Sequence, residues 1–176
     1  MTEQVLYDFT HVERFHLIES ESSAPGEIRT GEWTCQGRRM LGVQYVPSPG
    51  EAPSADSSNP HVVILLPPVC LARPPREFVL ELQGGEGRRR IQLEGMDADS
   101  AALRFPLADL DATGFVSVRT KVEHEGARAG RGISGPIQFT RLRIEIVTPE
   151  KPVRLGLYRL CVTGGGRIIA AGVAHG

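Results

Sequence analysis

Residues 84–90, GGEGRRR, combine flexible glycines with three consecutive arginines, a composition that can bind phosphate. A P-loop, however, requires the pattern GxxxxGK[ST] after a strand and at the start of a helix. Here there is no Lys-Ser or Lys-Thr pair, and the alternating run RRIQLE (89–94) follows instead of a helix. Because FVLELQ (78–83) alternates in the same way, the pattern predicts a β-hairpin whose tight turn the glycines permit.

Arg88 and Arg90 lie two residues apart, so in a strand their side chains share one face, which we expect to face solvent. Two interpretations of this pair are open. The arginines can form ion pairs with acids such as Glu81 and Glu94, or they can bind an acidic protein or phospholipid head groups. Nucleic acid is disfavoured, because no aromatic residues interleave with the arginines and the net charge of the chain is −1.

The sequence contains no recognisable catalytic or metal-binding set of residues. There is no GxSxG motif, and His124 has the pattern of a solvated loop histidine between two glutamates. The acid pairs Asp97/Asp99 and Asp109/Asp111 occur in turn-like sequence, where aspartate commonly stabilises the turn. A zinc site needs three or four converging ligands, and no such group can be assembled. We therefore predict no enzymatic activity, no metal and no cofactor.

A carbohydrate-binding site would need exposed aromatic rings, because the C–H faces of pyranoses stack on Trp and Tyr. The chain has only one tryptophan and three tyrosines, which weakens this interpretation. Trp33 and Tyr45 are the candidate ligand-binding residues, and Trp33 is the better of the two. A core or rim position on an early strand is the alternative for Trp33.

The segment VVILLPPVCLARPPR (62–76) begins as a continuous apolar strand and continues into two proline pairs. The prolines are expected to hold an extended segment that exposes apolar side chains, with arginines following them. Such stiff apolar segments are suited to docking a partner or a membrane surface, because little conformational entropy is lost. The alternative is a crossover loop that packs on its own domain. The candidate partner-binding residues are Pro67, Pro68, Val69, Leu71, Arg73, Arg76, Arg88 and Arg90.

Short runs of alternating hydrophobicity, bounded by Gly, Pro, Asp and Ser, recur along the whole chain, whereas helical periodicity is almost absent. About ten such runs in one domain require two packed sheets. We predict an all-β fold, an antiparallel two-sheet β-sandwich (jelly roll), formed by residues 1–176 as one domain. The proline- and glycine-rich segments 47–60 and 123–136 are predicted to be long loops.

The composition is that of an ordinary globular protein, with 40% hydrophobic and 23% charged residues. The three cysteines include no CxxC pair, a pattern that suits a reducing compartment. The stretch MTEQVLYDFTHVERF (1–15) has neither the basic region nor the apolar region of a secretory signal. These features predict a cytoplasmic protein, or one peripheral to a membrane complex, with no transmembrane segment.

The order of three segments resembles the second half of galactose-binding-like jelly-roll domains. They are FVLELQGGEGRRRIQLE (78–94), ALRFPLADLDATGFVSVRTKV (102–122) and FTRLRIEIVTPEKPVRLGLYRLCV (139–162), and VLYDF (5–9) is similar to the opening strand of that group. The resemblance implies a jelly-roll sandwich. Within this superfamily it points to two branches, the carbohydrate-binding modules and the complex I intermediate-associated proteins, which are intracellular assembly factors.

The chain departs from the superfamily pattern at three positions. Glu86 stands where an aspartate is usual in the turn, and Phe115 stands where the pattern favours tryptophan. Arg159 follows Tyr158 where many relatives place an acid, which counts against the structural calcium of those relatives.

The leading functional prediction is a non-catalytic interaction module. In this reading the chain is an accessory or assembly subunit that docks onto protein subunits of a larger complex, such as a membrane-bound respiratory or photosynthetic one. The alternative is a carbohydrate-binding module, and an enzyme is a distant third.

Overall fold

The computed structural model describes residues 3–21, 26–48, 60–123, 132–148 and 150–170. In these residues the chain forms twelve strands and one short 3₁₀ turn, Val12–Arg14, and no longer helix. The strands are β1 (Glu3–Asp8), β2 (His16–Glu21), β3 (Gly26–Cys35), β4 (Arg38–Pro47), β5 (His61–Leu71), β6 (Glu77–Gly84), β7 (Arg89–Met96), β8 (Ala102–Leu110), β9 (Gly114–Lys121), β10 (Ile137–Ile146), β11 (Val153–Thr163) and β12 (Ile168–Ala170).

The strands form two six-stranded antiparallel sheets. The first, sheet A, has the order β3-β4-β11-β6-β9, and β1 pairs with the second half of β11. The second, sheet B, has the order β12-β5-β10-β7-β8, and β2 pairs with the first half of β5. This arrangement confirms the predicted all-β, two-sheet antiparallel jelly roll.

The core lies between the two sheets and is built by the alternating aliphatic residues that the strand pattern predicts. Leu41 and Val43 of β4, for example, belong to the same core cluster as Ile91 and Leu93 of β7, and all four are at most 2% exposed. A group of three aromatic rings joins the sheets, with ring centroids 5.3–6.0 Å apart. These rings belong to Phe78, Phe105 and Phe139.

The predicted hairpin over residues 78–94 is wrong. Strand β6 pairs with β11 and β9 in sheet A, whereas β7 pairs with β10 and β8 in sheet B. Residues 85–88 therefore carry the chain from one sheet to the other: the Gly85 N–H donates to the Arg154 carbonyl, and the Val147 N–H donates to the Arg88 carbonyl. Both runs alternate as predicted and both form strands. Alternation alone, however, does not distinguish two strands paired in a hairpin from two strands whose apolar faces meet across the core.

The two predicted loops are described only at their ends. Strand β4 ends at Pro47 and β5 begins at His61, while residues 49–59 and 124–131 lie outside the described residues. Within the part of the chain that the structure describes, no helix has the length and apolar character needed to cross a membrane.

Candidate functional site

A row of three glycines crosses the outer face of sheet A. Gly31 of β3 lies opposite Gly42 of β4, and Gly42 in turn lies opposite Gly156 of β11. Because residues paired in an antiparallel sheet project to the same side, the sheet lacks side chains along this line. The result is a groove of about 170 Å³ that runs across the strands over Gly31 and Gly42.

The indole of Trp33 occupies the space above part of this row. A Cβ added at Gly156 would lie 2.7 Å from Trp33 Cε3, and one added at Gly42 would lie 2.9 Å from Trp33 Cβ. A Cβ at Gly31 would meet no atom within 4 Å. The glycines therefore have two roles: Gly42 and Gly156 seat the tryptophan, and Gly31 leaves the groove beside it open.

Polar side chains line the groove beside the tryptophan. Arg29 of β3, Gln44 of β4 and Arg154 of β11 form a second row across the sheet, in register with one another. The Arg29 guanidinium donates two hydrogen bonds to Glu27, at 3.0 and 2.9 Å, and these bonds lower the pKa of the Glu27 carboxyl. Arg154 forms no ion pair with any described residue, and its Cζ lies 4.1 Å from the centroid of the Trp33 ring.

A second aromatic group lies further along the same face. Phe115 of β9 and Tyr158 of β11 meet edge to face with ring centroids 5.6 Å apart, and Arg38 Cζ lies 4.1 Å from the Phe115 centroid. Phe115 is linked to the glycine row through Gln83, which lies opposite both Phe115 and Gly156. The outer face of sheet A thus combines aromatic rings with arginines stacked on them, and we call it the aromatic face.

The two residues predicted for carbohydrate binding have different positions. Trp33 is half-buried on the aromatic face, at the wall of the groove. Tyr45 is not available to a ligand, because it is fully buried and packs with Ile146 and Val153 at the sandwich end. The prediction for Tyr45 is wrong because the alternation of β4 places it inward, whereas Gln44 projects into the groove.

The segment predicted to expose apolar residues for a partner is largely part of β5 and its end. Leu71 is fully buried in the core, so its predicted exposure is wrong, whereas Val69 is partly buried and packs against the core. Pro67 is held by its carbonyl, which accepts a 2.8 Å hydrogen bond from the Tyr7 hydroxyl, while Pro68 is exposed. The prolines therefore belong to a strand whose alternate side chains still enter the core.

Arg73 and Arg76 have exposed side chains, but their backbone is tied to the segment that follows β11 and to β11 itself. The Arg73 N–H donates to the Gly165 carbonyl at 2.9 Å, and the Arg76 N–H donates to the Thr163 carbonyl at 2.8 Å. The segment 72–76 thus packs on its own domain, which was the alternative to a docking surface.

Arg88 and Arg90 lie beside the outer face of sheet B and are neutralised within the chain. Arg88 donates two hydrogen bonds to Asp109, at 2.8 and 3.0 Å, and Arg90 contacts Asp109 at 3.4 Å and Glu145 at 2.9 Å. The Arg88 hydrogen bond is the largest factor that lowers the pKa of Asp109. The structure shows the ion pairs that the first interpretation expects, with Asp109 and Glu145 in place of Glu81 and Glu94.

Of the acid pairs in turn-like sequence, Asp97 behaves as predicted, whereas Asp109 lies within β8 and forms ion pairs with Arg88 and Arg90. Asp97 accepts hydrogen bonds from the N–H groups of Asp99 and Ala101, both at 3.0 Å, and from the Ser134 N–H at 3.2 Å. Its carboxylate therefore closes a turn. No group of three or more His, Cys, Asp or Glu residues in the described ranges could hold a metal ion, and His124 lies outside those ranges.

Sequence reasoning missed most of the aromatic face. Phe115 alternates with Val116 and Val118, which pack against the core, so its outward orientation could have been predicted. The pairing of Gly31, Gly42 and Gly156 could not, because register between strands distant in sequence is not encoded in any one of them.

Comparison with known proteins identifies similarity in structure alone. No family model and no curated protein matches the sequence. The family 11 carbohydrate-binding module of a cellulosomal cellulase from Clostridium thermocellum aligns at a TM-score of 0.56 and 12% identity, over 94% of this chain and 96% of that one. A second structure of a family 11 module from the same organism, in complex with a β-1,3-1,4-mixed-linked tetrasaccharide, aligns equally well over 94% and 97% of the two chains.

These matches confirm the jelly-roll β-sandwich as the fold. They contradict the leading functional prediction, an accessory or assembly subunit of a larger complex, because both of these structures are carbohydrate-binding modules. One of the features behind that prediction, an apolar surface on the proline-rich segment, is weakened as well, because Leu71 is fully buried and Val69 is partly buried.

Proposed function

We propose that this protein binds carbohydrate without catalysing a reaction, and that the groove of the aromatic face is its binding site. The observation that carries the proposal is the juxtaposition of an indole, Trp33, with a row of hydrogen-bonding side chains across a floor of glycine backbone. A pyranose presents apolar C–H faces and a rim of hydroxyl groups, so it needs both kinds of surface at once. Arg154 supplies donors, Arg29 keeps only the Nη1 donors that its pair with Glu27 leaves unused, and Gln44 supplies both a donor and an acceptor.

The stacking of Arg154 on Trp33 does not prevent this role. A cation–π contact at an exposed site contributes about 0.5–1 kcal/mol, so a sugar ring can displace the guanidinium at modest cost. A central aromatic contact in an interface contributes about 2 kcal/mol or more, which exceeds that cost. The same arginine can then donate to sugar hydroxyls from the groove wall.

The side chains around the groove are suited to binding, and we assign them no bond-breaking step. Glycoside hydrolysis requires a pair of carboxyl groups on either side of the scissile bond. Among the described residues that line the groove, Glu32 is the one carboxylate, and it is held by Arg39 at 2.6 Å.

Isothermal titration calorimetry with a β-1,3-1,4-mixed-linked tetrasaccharide tests the proposal, since a solved relative in fold is described in complex with that ligand. We expect saturable binding by the unmodified protein and at least tenfold weaker binding by Trp33→Ala, a loss of about 1.4 kcal/mol or more. Leu65→Ala is the matched control, because Leu65 is 45% exposed on the outer face of sheet B.

Circular dichroism should show the same spectrum for all three proteins. Equal affinities for Trp33→Ala and the unmodified protein would place the binding site elsewhere. An absence of binding across neutral and acidic oligosaccharides would contradict the proposed function itself.

A further inference from the structure

Two arginines of the aromatic face differ from the ion-paired arginines of the domain. Arg38 and Arg154 each lie 4.1 Å from the centroid of an aromatic ring, and neither forms an ion pair with a described residue. Five exposed arginines are instead held by carboxylates at 2.6–3.0 Å. These are Arg29, Arg39, Arg88, Arg90 and Arg119.

The geometry of a stacked guanidinium determines what it can still bind. Stacking uses the flat face of the group, whereas its N–H donors lie in the plane and point outward. A carboxylate can therefore accept two parallel hydrogen bonds from the edge of the guanidinium while the ring contact is kept. Arg38 and Arg154 thus present preformed sites for an anion, each supported by an aromatic ring.

The acids of the aromatic face do not neutralise these two arginines. Glu27 is bound by Arg29 and Glu32 by Arg39. Glu81 lies opposite Arg159 in the pairing of β6 with β11, so that pair balances in charge. Arg119 is shared by Glu3 and Glu77. None of these acids forms an ion pair with Arg38 or Arg154, so both guanidinium groups keep an unpaired positive charge beside their aromatic rings.

We propose that the preferred ligand of this site is an acidic glycan that carries uronic acid residues. This inference rests on the proposed carbohydrate-binding function and adds the chemical class of the sugar. A neutral sugar must displace Arg154 to reach the face of Trp33 that the guanidinium covers. A uronate instead brings a carboxylate to the edge of the stacked guanidinium, so its recognition costs no unstacking and adds a charge-assisted pair.

The test compares two oligosaccharides that differ only at C6, a β-1,4-linked tetraglucose with hydroxymethyl groups and the corresponding tetraglucuronate with carboxylates, by calorimetry at low and high salt. We expect at least tenfold tighter binding of the uronate at low salt. The ratio of the two affinities should decrease as salt is added, because exposed charges are screened.

Substitutions assign the preference to the site. Arg154→Gln should lower the uronate-to-neutral affinity ratio at least fivefold. Arg141→Gln should leave the ratio unchanged, because Arg141 is exposed on the outer face of sheet B and forms no ion pair with a described residue.

Each outcome decides between the inference and the function on which it rests. Equal binding of the two tetrasaccharides, or tighter binding of the neutral one, overturns the uronate inference and leaves the proposed function in place. Binding of neither contradicts both. A loss of preference in Arg141→Gln as large as that in Arg154→Gln would show general charge attraction and would also overturn the inference.

Discussion

The outer faces of the two sheets both present arginine, but the partners of those arginines differ. On sheet A, Arg38 and Arg154 lie on aromatic rings. On sheet B, Arg88 and Arg90 form ion pairs with carboxylates. Within the described residues, no aromatic ring contacts an arginine of that face. An ion-paired arginine has its hydrogen-bonding edge occupied, whereas an arginine stacked on a ring keeps that edge free.

This difference shows that the number of arginines in a face says little about binding. Exposed ion pairs contribute little to stability and leave little charge for a ligand, so the paired arginines of sheet B act mainly as a solvated surface. An arginine stacked on an aromatic ring, by contrast, is held in place while its N–H groups remain able to donate hydrogen bonds to a ligand. Three predictions test how far the two faces are independent, beginning with the arginine that lies where the chain passes between them.

Arg89 is fully buried where the chain passes from sheet A to sheet B. Its guanidinium supplies hydrogen-bond donors to backbone carbonyls of the segments that meet there. It donates to the carbonyls of Gly85 at 2.7 Å, Ala112 at 2.9 Å, and Gly87. Burial lowers the pKa of Arg89, and Asp111 opposes that effect. Because Arg89→Met leaves these carbonyls without a donor, we expect a loss of about 3 kcal/mol in the free energy of unfolding.

Urea denaturation measures this loss, and Arg90→Met is the matched control. Arg90 is ion-paired at the surface, so its removal should cost less than about 1 kcal/mol. If Arg89→Met were as stable as Arg90→Met, the cost of burying the cation would equal what its hydrogen bonds contribute. The stability of the connection between the two sheets would then not depend on Arg89.

The glycine row allows a second test, confined to the aromatic face. Gly156→Ala places a methyl group 2.7 Å from Trp33 Cε3 and 3.1 Å from the Met40 sulfur, so the indole must move. We expect a loss of about 1–2 kcal/mol in stability, as for other overpacked sites, together with weaker binding of oligosaccharide. Thermal unfolding and calorimetry measure the two effects.

Gly31→Ala is the control for that substitution, because its methyl group meets no atom within 4 Å. Its stability should remain within about 0.5 kcal/mol of the unmodified protein, as is usual for surface substitutions. Equal stability of the two variants would mean that Trp33 is not seated on Gly156 in solution.

Much of the fold could be predicted from the sequence, because each strand carries its own alternation. The run 40–46, for instance, separates Leu41, Val43 and Tyr45 from Gly42 and Gln44, and the structure keeps that division. The partners of the strands could not be predicted in this way. The alternation in runs 78–83 and 89–94 predicts that they pair as a hairpin, whereas the two strands lie in different sheets.

Of the candidate site, the sequence predicts one residue, Trp33. The other residues are missed because the pairing partners of the strands cannot be predicted from their alternation. Tyr45 and Gln44 are adjacent, and only the position of the core decides which of them a ligand can reach. Arg154 and Trp33 are distant in sequence and become neighbours only because β11 and β3 both pair with β4. A site assembled from several strands depends on register, and register is a property of the whole sheet.

The smallest expected effect concerns Asp109, which holds the arginines of sheet B. Its pKa is lowered by the hydrogen bond from Arg88, so the ionised form stabilises the folded state. That contribution is present above the ordinary aspartate pKa of about 3.9 and is lost as the pH falls through the lower pKa of the folded protein. At pH 7, Asp109→Asn should cost less than about 1 kcal/mol, because the pair is exposed and screened.

Urea denaturation of Asp109→Asn and the unmodified protein at several pH values between 7 and about 2 measures this effect, and the difference in stability should disappear toward the acid end. Affinity for oligosaccharide should not change, since Asp109 lies on the sheet opposite to the groove. Glu86→Gln provides a control, because Glu86 is exposed and forms no ion pair with a described residue. A stability difference that stays constant with pH would show that Asp109 acts through packing and not through its charge, and weaker binding in Asp109→Asn would show that the two faces are coupled through the core.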